Sequence, residues 1–169
     1  MSRAAERERP RRVLVVDVGG THVKILATGR RTPREFASGP TLTARQMVSG
    51  VLRAAAGWKY DAVSIGYPGP VLRGRPLAEP HNLAAGWVGF DFQAAFGRPV
   101  KLINDAAMQA LGGYKGGKML FLGLGTGLGS ALIVDGIVEP MELYLAGRAT
   151  RQWQGATVPV DDNSAACAS

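Results

Sequence analysis

The sequence predicts an α/β fold, and three observations carry that prediction. Two glycine turns, DVGGTHVK at 17–24 and LGLGTGLGS at 122–130, each stand between apolar β-rich runs. VLVVD and VKILA flank the first, MLFLG and SALIVDG the second, so both read as hairpins. Elsewhere strands give way to helical spacing: PVKLINDAAMQALGGY at 99–114 passes from a short buried strand into a helix with apolar Ala106, Met108, Ala110 and Leu111. Between these parts, 67–98 is a connection rich in Pro and Gly, too long for mere linkage and suited to ligand binding.

Taken in order, residues 1–12 are charged and unstructured, and strands follow near 13–18, 22–28 and 33–37. A helix near 43–56 starts at Thr41 or Thr43, either of which can cap it. A strand at 61–66 leads into the long connection, with a short helix near 91–96. A strand at 100–103 and a helix at 105–114 come next, with Asp105 as the expected N-cap, since a short carboxylate satisfies the first free N–H groups. Strands at 119–124 and 130–135 form the second hairpin, and 144–169 has neither helical nor alternating periodicity and reads as an irregular tail. At 169 residues and 46% hydrophobic, the chain has material for one full α/β domain and a fragment. The expected division is a tail at 1–12, a domain at 13–117, an incomplete second domain at 118–143 and the tail at 144–169.

The formal charge of +7 has plain sources: the first 12 residues hold five Arg against two Glu, and the other basic residues are scattered. Nucleic acid is therefore not the expected partner. No run approaches the apolar length of a membrane span, so no membrane partner is expected either. His22 and His81 lack a second His or Cys at ligand spacing, and Cys167 is the single thiol, so no zinc site is expected. The lone Cys and the chemistry below fit the cytoplasm. Trp58 and Trp87 read as covers of apolar surface, with a wall of a ligand pocket as the alternative for Trp87.

Glycines in the two turns allow positive φ and let backbone N–H groups approach an anion. A hairpin glycine is ordinary by itself; the added chemistry points to phosphate. Asp17, at the end of the first strand, can hold a hydrated Mg²⁺. Thr21 and Thr126 add hydroxyls, and Lys24 adds a cation. Asn104 and Asp105 fall at the carboxyl end of a strand, where α/β sites lie, and supply a group to activate an acceptor.

Four segments in this order, DVGGTHVKI, GYPGPV, NDAAMQALGGY and FLGLGTGLGSALIVDG, resemble the ROK sugar kinases, and most closely the polyphosphate glucokinases of actinobacterial type. The resemblance spans about Val13 to Leu143. It implies an actin-like (ribonuclease H-like) ATPase fold of two α/β domains, with one complete here and the first hairpin of the other. It also implies phosphoryl transfer to the 6-hydroxyl of glucose from ATP or polyphosphate, with Mg²⁺. Asp105 matches the general base, and Gly69, Asn82, Asn104 and Glu142 match sugar ligands. Asp17, Gly19, Gly20, Thr21 and Lys24 match the first phosphate motif, and Gly125, Thr126 and Gly127 the second.

The pattern stops after Leu143. Leu145 stands three residues beyond the matching glutamate, where the family has a His, and the adenosine-holding glycine pair and the family's zinc cluster are absent. The chain is therefore expected to be a truncated member. Its unfinished second sheet would expose apolar strands and unpaired edges, which favours association, with a homodimer covering the hairpin.

Overall fold

The apolar run VLVVDV makes a half-buried strand, β1 (Val13–Val18), whose burial alternates: Leu14, Val16 and Val18 are fully buried, while Val15 and Asp17 occupy the other face. These positions belong to a computed structural model that describes residues 12–124, 128–139, 142–146, 148–153 and 156–159. Strand β2 (His22–Ala27) returns antiparallel with Asp17 opposite Lys24, and β3 (Arg34–Ala37) pairs with β2. Helix α1 (Ala44–Ala54) begins at Thr43, not Thr41. Thr43 Oγ1 accepts from Gln46 N at 3.3 Å and Gln46 Oε1 accepts from Thr43 N at 2.9 Å, a reciprocal capping box.

Strand β4 (Ala62–Tyr67) runs parallel to β1, with Gly66 opposite Asp17. The long connection holds a two-residue hairpin, β5 (Val71–Leu72) and β6 (Arg75–Pro76), and then α2 (Phe92–Phe96), capped by Asp91 and closed by Gly97 in the left-handed region at φ +61°. Strand β7 (Val100–Asn104) completes a five-stranded sheet in the order β3-β2-β1-β4-β7. Its inner face, Leu14, Val16, Val18, Val23, Ile25, Val63 and Ile65, packs with Met47, Val48 and Val51 of α1 and with Trp87, Phe92 and Phe96.

The chain divides into two compact units, one ending at Ile103 and one beginning at Asn104. In the second, α3 (Asp105–Gly113) packs with β8 (Lys118–Leu124) and β9 (Leu128–Val134), and β10 (Ile137–Glu139) adds a third antiparallel strand. Small residues allow this packing. Ala107 and Ala110 meet Ala131 and Ile133, and a Cβ on Gly129 would come within 3.1 Å of Ala106 Cβ. The helix at 105–113 therefore belongs with the second hairpin in packing, although the sequence suggested a boundary at 117. The N-cap also differs from expectation: Asn104, not Asp105, caps α3, its Oδ1 accepting from Ala107 N at 3.1 Å. Asn104 has the extended backbone a cap needs, while Asp105 is already helical.

Part of the run expected to be irregular is stranded. β11 (Glu142–Ala146), β12 (Arg148–Trp153) and β13 (Ala156–Pro159) form an antiparallel sheet with Tyr144 opposite Thr150 and Gln152 opposite Thr157. The reading failed there because alternation is weak in a run rich in Ala, Gly and Thr, and pairing rather than side-chain pattern sets such strands. Of the expected tail at 1–12, residues 1–11 lie outside the described residues, as does 160–169, whereas Arg12 is held in place by its ion pair with Asp61 at 2.8 Å. Among the described residues no helix is long and apolar enough to cross a membrane.

Candidate functional site

In the first unit the site is built where β1 and β4 end side by side. The turn after β1 is held by Gly19 N donating to His22 O at 3.0 Å, and by Ser38, just after β3, whose N donates to Thr21 O at 2.9 Å and whose Oγ donates to Gly19 O at 2.6 Å. The glycines are needed for space rather than for positive φ, which neither Gly19 nor Gly20 adopts. A Cβ on Gly19 would lie 2.9 Å from His22 O, and one on Gly20 would lie 3.2 Å from Asn82 Cβ. The missing Gly20 side chain thus lets the first turn close against the long loop. Two segments far apart in sequence meet there.

Asp17 is half-buried at the end of β1. Burial pushes its carboxyl above the ordinary value, and Lys24 across the strand pair draws it back. An acid in that state gains from a nearby cation. Among the described residues no group of three His, Cys, Asp or Glu is placed to hold a metal. Half-buried and raised by desolvation, Asp17 is the carboxylate here able to hold a hydrated Mg²⁺ through water.

The loop after β4 is pinned by Tyr67, whose Oη donates to Ala78 O at 2.7 Å; burial, then the nearby Glu79 charge, raises its phenol well above the ordinary range. Gly69 sits on the Tyr67 ring, where a Cβ would come within 3.0 Å of Cε1. Asn82 is exposed and lies against Gly20. Trp87 is fully buried, with ring centroids 5.8 Å from Tyr67 and 6.2 Å from Phe92, so it is a core residue beneath the loop and not an open wall.

In the second unit, Asn104 and Asp105 are half-buried at the start of α3. Asp105 Oδ1 accepts from Ala106 N at 2.8 Å, which fixes the carboxylate at the helix N-terminus, where partial positive charge favours the anion. Gly125, Thr126 and Gly127 lie outside the described residues; the register Leu124 opposite Leu128 leaves them as the connection between β8 and β9. Glu142 opens β11, with its side chain outside the described residues. The sequence reading missed Ser38, Tyr67 and Glu79. Ser38 and Tyr67 act on partners 19 and 11 residues away, which no local pattern reveals.

A mixed sheet of this order, with a glycine turn at the end of its central strand, is the N-terminal part of an actin-like ATPase fold. The family profile matches residues 13–140, and the chain belongs to the ROK family. Among solved structures, a ROK family glucokinase from Streptomyces griseus in complex with glucose and AMPPNP superposes with a TM-score of 0.63 at 27% identity, covering 76% of this chain and 46% of that one. The ROK hexokinase from Thermus thermophilus gives 0.59 at 26% identity, covering 75% and 48%. The bifunctional enzyme NanE/NanK of Brucella melitensis biotype 1 is 28% identical over 141 residues, which are 73% of this chain and 27% of that protein. The chain thus spans less than half the length of these relatives.

Proposed function

We propose that this chain carries the acceptor side and the first phosphate turn of a sugar kinase that transfers a phosphoryl group to the 6-hydroxyl of glucose. The observation that carries the reading is the contact between Gly20 and Asn82, which sets a phosphate-type turn against the loop matching the family's sugar ligands. Asp105 accepts the proton of the sugar hydroxyl as the hydroxyl oxygen attacks the donor's terminal phosphorus and the donor's phosphoanhydride oxygen leaves with the bonding pair. In a loose phosphoryl-transfer transition state such a base needs placement more than tuning. Asn82, Asn104, Gly69 and Glu142 orient the sugar. Backbone amides of Gly19, Gly20 and Thr21, with Lys24, receive donor phosphate, and the family match gives Gly125, Thr126 and Gly127 the same role. Asp17 would hold the Mg²⁺, which would supply neutralisation of the donor's phosphate charge.

The AMPPNP and glucose of the Streptomyces griseus protein favour a nucleotide donor and glucose. Polyphosphate is the alternative donor, drawn from the sequence resemblance, and it would use the same turns. The test is a coupled assay for glucose 6-phosphate with Mg²⁺ and either ATP or polyphosphate. Asp105→Ala is expected to lower turnover by about 10²-fold or more; a loss below tenfold removes Asp105 as base. A second reading, a chain that holds sugar without transferring phosphate, is favoured by the loss of the family pattern after Leu143. Glucose binding by calorimetry without product in the assay would select it.

A further inference from the structure

Glu79 lies outside every motif above, yet it organises the loop that carries Asn82. Its Oε2 accepts from Trp87 N at 3.0 Å and its Oε1 from Val88 N at 3.3 Å, and Gly86 N–H also faces the carboxylate. Gly86 and Gly89 adopt positive φ, +99° and +78°, and this left-handed backbone brings successive N–H groups together as an anion nest. Here the chain's own carboxylate fills the nest. Those bonds hold Glu79 ionised below the ordinary carboxyl range despite some desolvation.

The segment between Glu79 and Gly86 is tied at other points as well. Ala78 O receives the Tyr67 hydroxyl, Ala84 N donates to Leu42 O at 3.2 Å, and Leu83 is buried. Asn82 lies in the middle of this segment, exposed, with its Cβ at the place a Gly20 side chain would crowd. Below it, Trp87 is fully buried with its indole Nε1 lacking a partner among the described residues. An unsatisfied buried donor is unfavourable, so the ring's placement needs support from elsewhere. The bonds from Glu79 to the backbone on both sides of that ring provide it.

We propose that Glu79 is a positioning residue: its carboxylate gathers the amides of Gly86, Trp87 and Val88 and so seats Asn82 against Gly20 of the phosphate turn. Its consequence for sugar binding rests on the assignment of Asn82 above; the seating itself does not. Removal of the carboxylate frees the 86–88 turn, and the Asn82 contact on Gly20 loosens with it.

The test uses the full chain labelled with ¹⁵N, in wild type, Glu79→Gln and Glu79→Ala. Gln keeps one acceptor and replaces the other oxygen with a donor, so it is the milder variant if Ala fails to fold. Exchange of the Trp87 and Val88 amides should rise roughly tenfold or more, because charge-assisted bonds to them are lost. The Gly20 amide resonance should shift, while β1 and α1 amides keep wild-type protection. Glucose affinity should fall about tenfold, and Asn82→Ala should give a similar loss that is not additive with Glu79→Ala. Unchanged exchange at Trp87 and Val88, an unmoved Gly20 resonance, or a uniform loss of protection across the core would each overturn the proposal. A wild-type chain that binds no glucose would sink the kinase reading, and the amide readouts would still decide the role of Glu79.

Discussion

Single residues in this chain are often chosen by what must come close to them. Gly19 and Gly20 are required because a Cβ would strike His22 O in one case and Asn82 in the other, at ordinary backbone angles. Asp17 follows the same logic in charge: a half-buried acid raised by desolvation and opposed by Lys24 is poised to gain from a cation. At the opposite end of β1, Arg12 grips Asp61 at 2.8 Å and holds its carboxyl down to about 2, against 3.8 ordinarily. A depressed acid contributes stability above the unfolded value, and that contribution is lost as pH falls from 3.8 toward about 2. Urea unfolding along that interval should show stability declining, and Asp61→Asn should flatten that part of the slope. An identical slope in both proteins would mean the pair contributes nothing, as many exposed pairs do.

At the level of elements, α1 shows how local chemistry and packing combine. Its cap is local, with Thr43 and Gln46 bonding each other's backbone, and Thr43→Ala is expected to cost about 1 kcal/mol, read as a lower denaturation midpoint with unchanged m. Its inner face is tertiary. Gly50 lies so close to the Phe36 ring of β3 that a Cβ would come within 2.6 Å, so a residue unfavourable to helix is kept for the sake of contact. The same device recurs in α3 and β9, where Ala106 and Gly129 bring helix and sheet together. Helix–strand approach through small residues is therefore common to both units.

For the whole molecule, the feature with the broadest consequence is the outer face of the second unit's sheet. Leu120 and Leu122 on β8 and Ile137 on β10 are 57%, 53% and 65% exposed, and the register puts them on one face opposite the packed Met119, Phe121, Ala131 and Ile133. Water-facing leucines beside an edge strand favour self-association. Leu122→Lys is expected to shift sedimentation from associated species toward monomer. A wild-type chain already monodisperse as a monomer would remove that expectation.

The sequence by itself determined most elements of the fold, because alternating apolar runs and capped amphipathic stretches encode strands and helices within a few residues of themselves. It also located the turns and Asn104–Asp105, since glycines, carboxylates and asparagines are short local signals. It placed the cap of α3 one residue late and read 144–169 as irregular, where for the strands within 144–159 backbone pairing, not side-chain period, decides. Only the tertiary structure brought Gly20 to Asn82, Ser38 to Gly19 and Tyr67 to Ala78, and it alone singled out Glu79. Those contacts join residues far apart along the chain, through steric fit and hydrogen bonds that no spacing in a linear sequence records.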